Sequence, residues 1–232
     1  MAKREPVPIG SRVKAPILKL LTQSKYLALW VTFVLLMILT PFAAGPIGAV
    51  VLTIVFSFVL ISGILTVSDD RRLLIIGLIP LVIAITARWI GYFTGNTDLL
   101  AASSLFGTIT LGYVSLLVFS SLFKATIITS TIIWQAISVY LLLGLTWASL
   151  FNFVNQVTPG SFYDNVAQSG VLTYPVMVYY SFVTLATLGY GDIVPTTAAA
   201  RGLAVLEVLT GVLFMAILIS RLVGTWASER KS

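Results

Sequence analysis

From residue 99 to residue 122 the chain carries no charged side chain. A helix of roughly 20 apolar residues, each rising about 1.5 Å, is long enough to cross the hydrocarbon core of a bilayer. Comparable apolar runs lie at about 26–42, 47–67, 73–93, 133–153 and 198–226. The composition agrees, with 58% hydrophobic residues, 9% charged residues and a mean hydropathy of +1.03, whereas soluble domains carry about 25% charged residues. Hardly any sequence remains for a soluble domain. The expected fold class is therefore an all-α membrane protein with six transmembrane helices. The sequence contains neither Cys nor His, which removes disulfides, thiolate chemistry and the usual zinc and haem ligands. No nucleophile–base pair is legible, so neither an enzyme nor a cofactor is expected.

Charge placement gives the orientation. Residues 1–25 form a basic segment, with Lys3, Arg4, Arg12, Lys14, Lys19 and Lys25 against Glu5, and are expected in the cytoplasm by the positive-inside bias. Such a segment can also rest on anionic lipid, each charge contributing about 1 kcal/mol near the surface. Proline and glycine at 41–46 make an outer turn, and Arg71 and Arg72 place the loop at 68–72 inside. Arg88 is expected near the outer end of the third helix, snorkelling beside Trp89 and Tyr92. Gly95, Asn96 and Asp98 form the next outer turn, and Lys124 marks the inner end of the fourth helix.

The residues after Lys124 are expected along the inner surface until the fifth helix starts near Ile133. Residues 155–173 form a polar outer turret carrying Asp164, and Tyr174 and Pro175 open a short re-entrant helix. The last helix returns to an inner end marked by Arg221, Arg230 and Lys231. Only Arg88 and Arg201 among the basic residues then fall outside, together with Asp98, Asp164 and Asp192. Both termini are expected in the cytoplasm of a multi-pass plasma-membrane protein. The net charge of +6 reflects orientation, and no nucleic-acid partner is expected.

The chemistry concentrates between Thr184 and Asp192. Gly189 and Gly191 flank Tyr190, and glycine reaches backbone conformations closed to residues with a Cβ, so that successive carbonyls can face one side. A ring of carbonyls can replace the water shell of a cation. Thr187 adds a hydroxyl at the inner end and Asp192 a negative charge at the outer end, which suits cations and repels anions. A re-entrant backbone of this kind is tolerable at membrane depth only where protein buries it or water lines it.

Thr187, Leu188, Gly189, Tyr190, Gly191 and Asp192 match, in order, the selectivity filter of tetrameric potassium channels, and Tyr179, Tyr180, Ser181, Phe182, Val183 and Thr184 stand where that family has its pore helix. The chain thus resembles a six-transmembrane, prokaryotic-type member of that family. Leu188 replaces the usual Val or Ile, Ala186 a second Thr, and Tyr179 and Tyr180 a common Trp pair. The resemblance implies K+ held by carbonyls of Thr187, Leu188, Gly189 and Tyr190, with Gly191 completing the row. It implies filter support from Asp192, Tyr179, Tyr180 and Thr184, and a cyclic homotetramer, since one chain supplies one filter strand. It further implies a four-helix, sensor-like domain at 26–123, a pore domain at 124–226 and a short cytoplasmic tail at 227–232. A weakly selective cation channel and a non-conducting regulatory subunit remain alternatives.

Two positions in the last helix call for a reason. Gly211 is an interior glycine, costing about 1 kcal/mol relative to alanine, and is expected to allow either bending or close packing. Val212, Met215, Ile219 and Val223 follow it at helical spacing and are expected to line the cavity and inner gate. Glu207 is an acid within an apolar span, a functional signal by default. It is expected to face the pore helix, where Ser181, Thr184 or a tyrosine can hydrogen-bond it. The fourth helix lacks arginines, so the sensor-like domain is expected to carry no gating charge.

Overall fold

The computed structural model describes residues 30–39, 46–66, 71–124, 130–170 and 172–229. The basic N-terminal segment, the outer turn at 41–45, most of the 68–72 loop, residues 125–129 and the last three residues lie outside the described set.

The chain is mostly helical. In order come α1 (Trp30–Leu39), α2 (Pro46–Thr66), α3 (Arg71–Thr94), α4 (Thr97–Lys124), α5 (Ser130–Val157), α6 (Tyr174–Leu185) and α7 (Ala198–Glu229). Four stretches within α3, α4, α5 and α7 are long and apolar enough to cross a membrane. The apolar parts of α1 and α2, Trp30–Leu39 and Val50–Leu65, are shorter.

The α3–α4 hairpin shows how local chemistry sets the boundaries. Gly95 adopts φ +68°, the left-handed conformation that commonly stops a helix. The Asn96 side chain then accepts from the amides of Asp98 (2.9 Å) and Leu99 (3.1 Å), capping the free N–H groups of α4. The cap starts α4 at Thr97, slightly before the apolar run. Similarly, α5 begins at Ser130, ahead of the expected Ile133.

Helix α4 packs on both α3 and α5, and α5 in turn carries α6. Its uncharged length hides buried hydroxyls, and most turn back onto carbonyls of their own helix, as Thr110 does on Phe106 (2.8 Å) and Ser115 on Leu111 (2.7 Å). Ser104 instead joins two helices. It receives the Asn152 amide at 2.8 Å and lies 3.0 Å from the Gln156 side-chain oxygen. Polar links of this kind fasten helices where lipid gives no hydrophobic drive to associate, so this one holds the first half of the chain on the pore half.

The turret is not purely irregular. Strand β1 (Phe162–Asp164) pairs antiparallel with β2 (Ile193–Pro195), with Phe162 opposite Pro195 and Asp164 opposite Ile193. This ribbon was not expected in an all-α chain. It ties the residues just after the filter to the loop following α5. Beneath it Phe151, Phe162 and Tyr180 form a mutual edge-to-face triangle, with ring centroids 5.2–5.3 Å apart.

Arg88 departs from expectation. It does not snorkel outward beside Trp89, but turns inward, its guanidinium 5.1 Å from the Phe56 ring centroid and 5.5 Å from that of Tyr174. The small residues Ala84, Ala87 and Gly91 are buried on the same side of α3. They make room for the approach.

Candidate functional site: the re-entrant loop after α6

Helix α6 starts with Pro175 in its first turn, where a missing N–H costs nothing. At its other end the backbone unwinds through short bonds, with Thr187 N–H donating to Thr184 O (2.9 Å) and Leu188 N–H to Val183 O (2.9 Å). Positive φ values then fall on alternate residues: Thr187 at 60°, Gly189 at 54° and Gly191 at 77°. Alternating handedness turns successive carbonyls to the same side, an arrangement that can stand in for a cation's water shell. Among the described residues, no N–H or hydroxyl donates to the carbonyls of Thr187, Leu188, Gly189 or Tyr190. Within the protomer a Cβ at Gly189 or Gly191 would meet nothing, so glycine is needed there for its φ and not for space. The Leu188 and Tyr190 side chains are 57% and 67% exposed on the single chain.

The Gly191 carbonyl, expected to complete the ion row, also accepts from the Asn165 side-chain amide at 2.8 Å. The same Asn165 donates its backbone N–H to Asp192 O at 2.7 Å.

Asp192 closes the outer collar. Its carboxylate accepts from the Tyr179 hydroxyl at 2.6 Å and from the Ile193 amide at 2.9 Å. The bond to Asp192 pushes the Tyr179 phenol up to about 12. Tyr180 points the other way, into the aromatic triangle. The adjacent tyrosines therefore serve the collar and the core separately.

On its other side, α6 is held between α5 and α7. Glu207 is fully buried, and its Oε1 lies 2.5 Å from the Ser181 hydroxyl, which also lies 2.7 Å from Gly144 O on α5. The expected partner set thus narrows to Ser181. Gly211 is explained by contact, since a Cβ there would overlap the Leu185 carbonyl oxygen, and α7 runs through it as one helix. A Cβ on Gly144 would overlap the Phe182 ring in the same way. Glu207, Gly211 and Phe214 lie on the packed side of α7, while Val212, Met215, Ile219 and Val223 are exposed on the protomer.

Sequence reasoning missed Asn165, Gly144 and the strained Thr187. Gly144 had a signal, being an interior helix glycine like Gly211. Asn165 had none, because its role depends on where the turret folds back.

Residues 116–227 match a family model described as an ion channel. Two-pore potassium channel 5 of Arabidopsis thaliana is 37% identical over 105 residues, covering 43% of this chain and 22% of that protein. Two-pore potassium channel 4 of the same plant is 49% identical over 45 residues (19% of this chain, 16% of that protein), and two pore potassium channel c of Oryza sativa subsp. japonica is 37% identical over 86 residues (36% and 16%). The chain spans about a fifth of the length of the curated relatives it matches. The matches indicate a channel, not an enzyme, and with the apolar helices they indicate a multi-pass membrane protein. No solved structure matches the chain.

Proposed function

We propose that the chain is the pore subunit of a potassium-selective channel that conducts passively. The supporting observation is the row from Thr187 to Tyr190, whose carbonyls accept from no described donor while φ alternates in sign along it. One chain supplies one such row, so several are needed to surround an ion, and a cyclic homotetramer closes the ring. Exposed Leu188 and Tyr190, and the exposed face of α7, then become subunit contacts and cavity wall. Val212, Met215, Ile219 and Val223 line the inner pore, whose apolar surface permits gating by dewetting.

In this reading α1 and α2 complete six crossings. Residues 26–123 form the charge-free sensor-like domain and residues 124–226 the pore domain. Both termini are cytoplasmic at the plasma membrane, and the basic N-terminus rests on anionic lipid. No cofactor other than filter-bound K+ takes part.

Flux from liposomes containing the purified protein, in K+ against Na+ gradients, tests this. Potassium flux well above sodium flux is the expected result. Equal fluxes would establish the weakly selective alternative, to which Leu188 and Ala186 behind the filter point, and no flux at all a non-conducting subunit.

A further inference from the structure

A cavity of about 860 Å³ opens between the first half of the chain and the outer collar of the pore, within the roughly 300–1,000 Å³ typical of ligand sites. Its apolar wall includes Leu52, Leu172 and Val176, its polar wall Asn152 and Gln156, and Asp164 and Asp192 lie on its collar side. Arg88 enters it. The guanidinium rests against the faces of Phe56 and Tyr174, which attract the charge but leave the five N–H donors of the fork without an acceptor. Among the described residues Arg88 makes no ion pair and no hydrogen bond.

The two carboxylates do not supply the missing acceptor. Asp192 is engaged by Tyr179 and Ile193, and one Asp164 oxygen accepts from the amides of Val166 and Ala167, each at 2.8 Å. Arg88 lies six residues before the end of α3, about 9 Å below the outer end of the helix at 1.5 Å per residue.

We propose that this cavity binds a membrane phospholipid, its phosphodiester on the Arg88 fork and the start of an acyl chain along the apolar wall. A planar guanidinium takes two phosphate oxygens at once, and the singly charged phosphodiester is compatible with carboxylates on the facing wall. Because Tyr179 and Asp192 share the cavity with Arg88, the bound lipid sits directly behind the outer collar.

The test is lipid retention by the full chain purified in mild detergent, read by native mass spectrometry and by lipid phosphorus per chain. Arg88→Gln keeps the length and polarity of the side chain but loses the charge. It is expected to weaken retention about tenfold or more, with Arg88→Lys intermediate because a point charge cannot reproduce the fork. Leu172→Trp leaves Arg88 intact and fills the cavity, and is expected to displace the lipid as well. It keeps the proposal testable should Arg88→Gln fail to fold. Wild-type retention in both Arg88→Gln and Leu172→Trp would overturn the site. Displacement of the wild-type lipid by millimolar inorganic phosphate, bound in its place, would overturn the assignment to lipid.

Discussion

The Tyr179 hydroxyl donates to the Asp192 carboxylate across 2.6 Å, joining the middle of α6 to the end of the loop that follows it. Removing the donor in Tyr179→Phe leaves the ring but frees the collar. The expected result is shorter open bursts in single-channel records, with the protein still folded. Asp192→Asn, which retains a side-chain oxygen to accept from Tyr179, should be milder. Wild-type bursts in Tyr179→Phe would show that the bond does not hold the filter.

The same bond sets an alkaline limit. The Tyr179 pKa is raised in the folded protein to about 12 from about 10 in the unfolded chain. Its contribution is therefore complete below pH 10 and lost as the pH rises from about 10 to 12. Burst length should be flat between pH 7 and 9.5 and fall above that range. A marked decline already at pH 8.5 would assign the titration to another group.

The glycines separate into two kinds. Gly189→Ala places a Cβ on a residue at φ 54°, a strain of about 1–2 kcal/mol relieved most easily by rotating the peptide. Selectivity or flux should be lost while thermal stability changes little. Gly211→Ala drives a Cβ onto the Leu185 carbonyl, and overpacking of this kind costs about 1–3 kcal/mol. It should lower the melting temperature and disturb conduction through a displaced pore helix. Normal potassium-over-sodium selectivity in Gly189→Ala would sink the filter assignment.

Glu207 and Ser181 should behave as one unit. Glu207→Gln can still hydrogen-bond Ser181, so folding is expected to survive with an altered open lifetime. Ser181→Ala should shift the lifetime too, and the double variant should add less than the sum of the two, since residues in one network are not independent. Full additivity would separate their roles.

The backbone conformation of the loop after α6 was legible because its chemistry is local. Glycines at fixed positions, one aromatic residue and a terminal acid specify a backbone conformation without help from distant residues. Glu207 and Gly211 were legible as exceptions in an apolar helix, and their four-residue spacing put them on one face. Arg88 was misplaced because Trp89 and Tyr92 suggested a headgroup anchor. The small residues Ala84 and Ala87, buried on α3 beside it, carried the better signal, since they mark the side of the helix that faces protein. The β1–β2 ribbon left almost no trace, because three-residue strands show no usable periodicity and their pairing joins positions about 30 residues apart. Asn165 and its bond to the Gly191 carbonyl follow from that pairing and were hidden with it.

Membrane potential should have little hold on this channel. Moving one elementary charge through the full field is worth about 2.3 kcal/mol per 100 mV, and steep voltage gating sums several such charges. Helix α4 presents uncharged residues from 99 to 122, and most of its buried hydroxyls bond to its own carbonyls or fasten it to α5. The charged residue within the apolar span of α3, Arg88, is held against two aromatic rings, and a charge fixed in place contributes no gating movement. Ions moving along the carbonyl row can still give a shallow conductance–voltage curve. In planar bilayers at symmetrical potassium, the slope should correspond to about one elementary charge or less per channel, far below what several arginines per sensor supply. A slope needing several charges would demand more moving charges than the apolar spans of α3 and α4 contain.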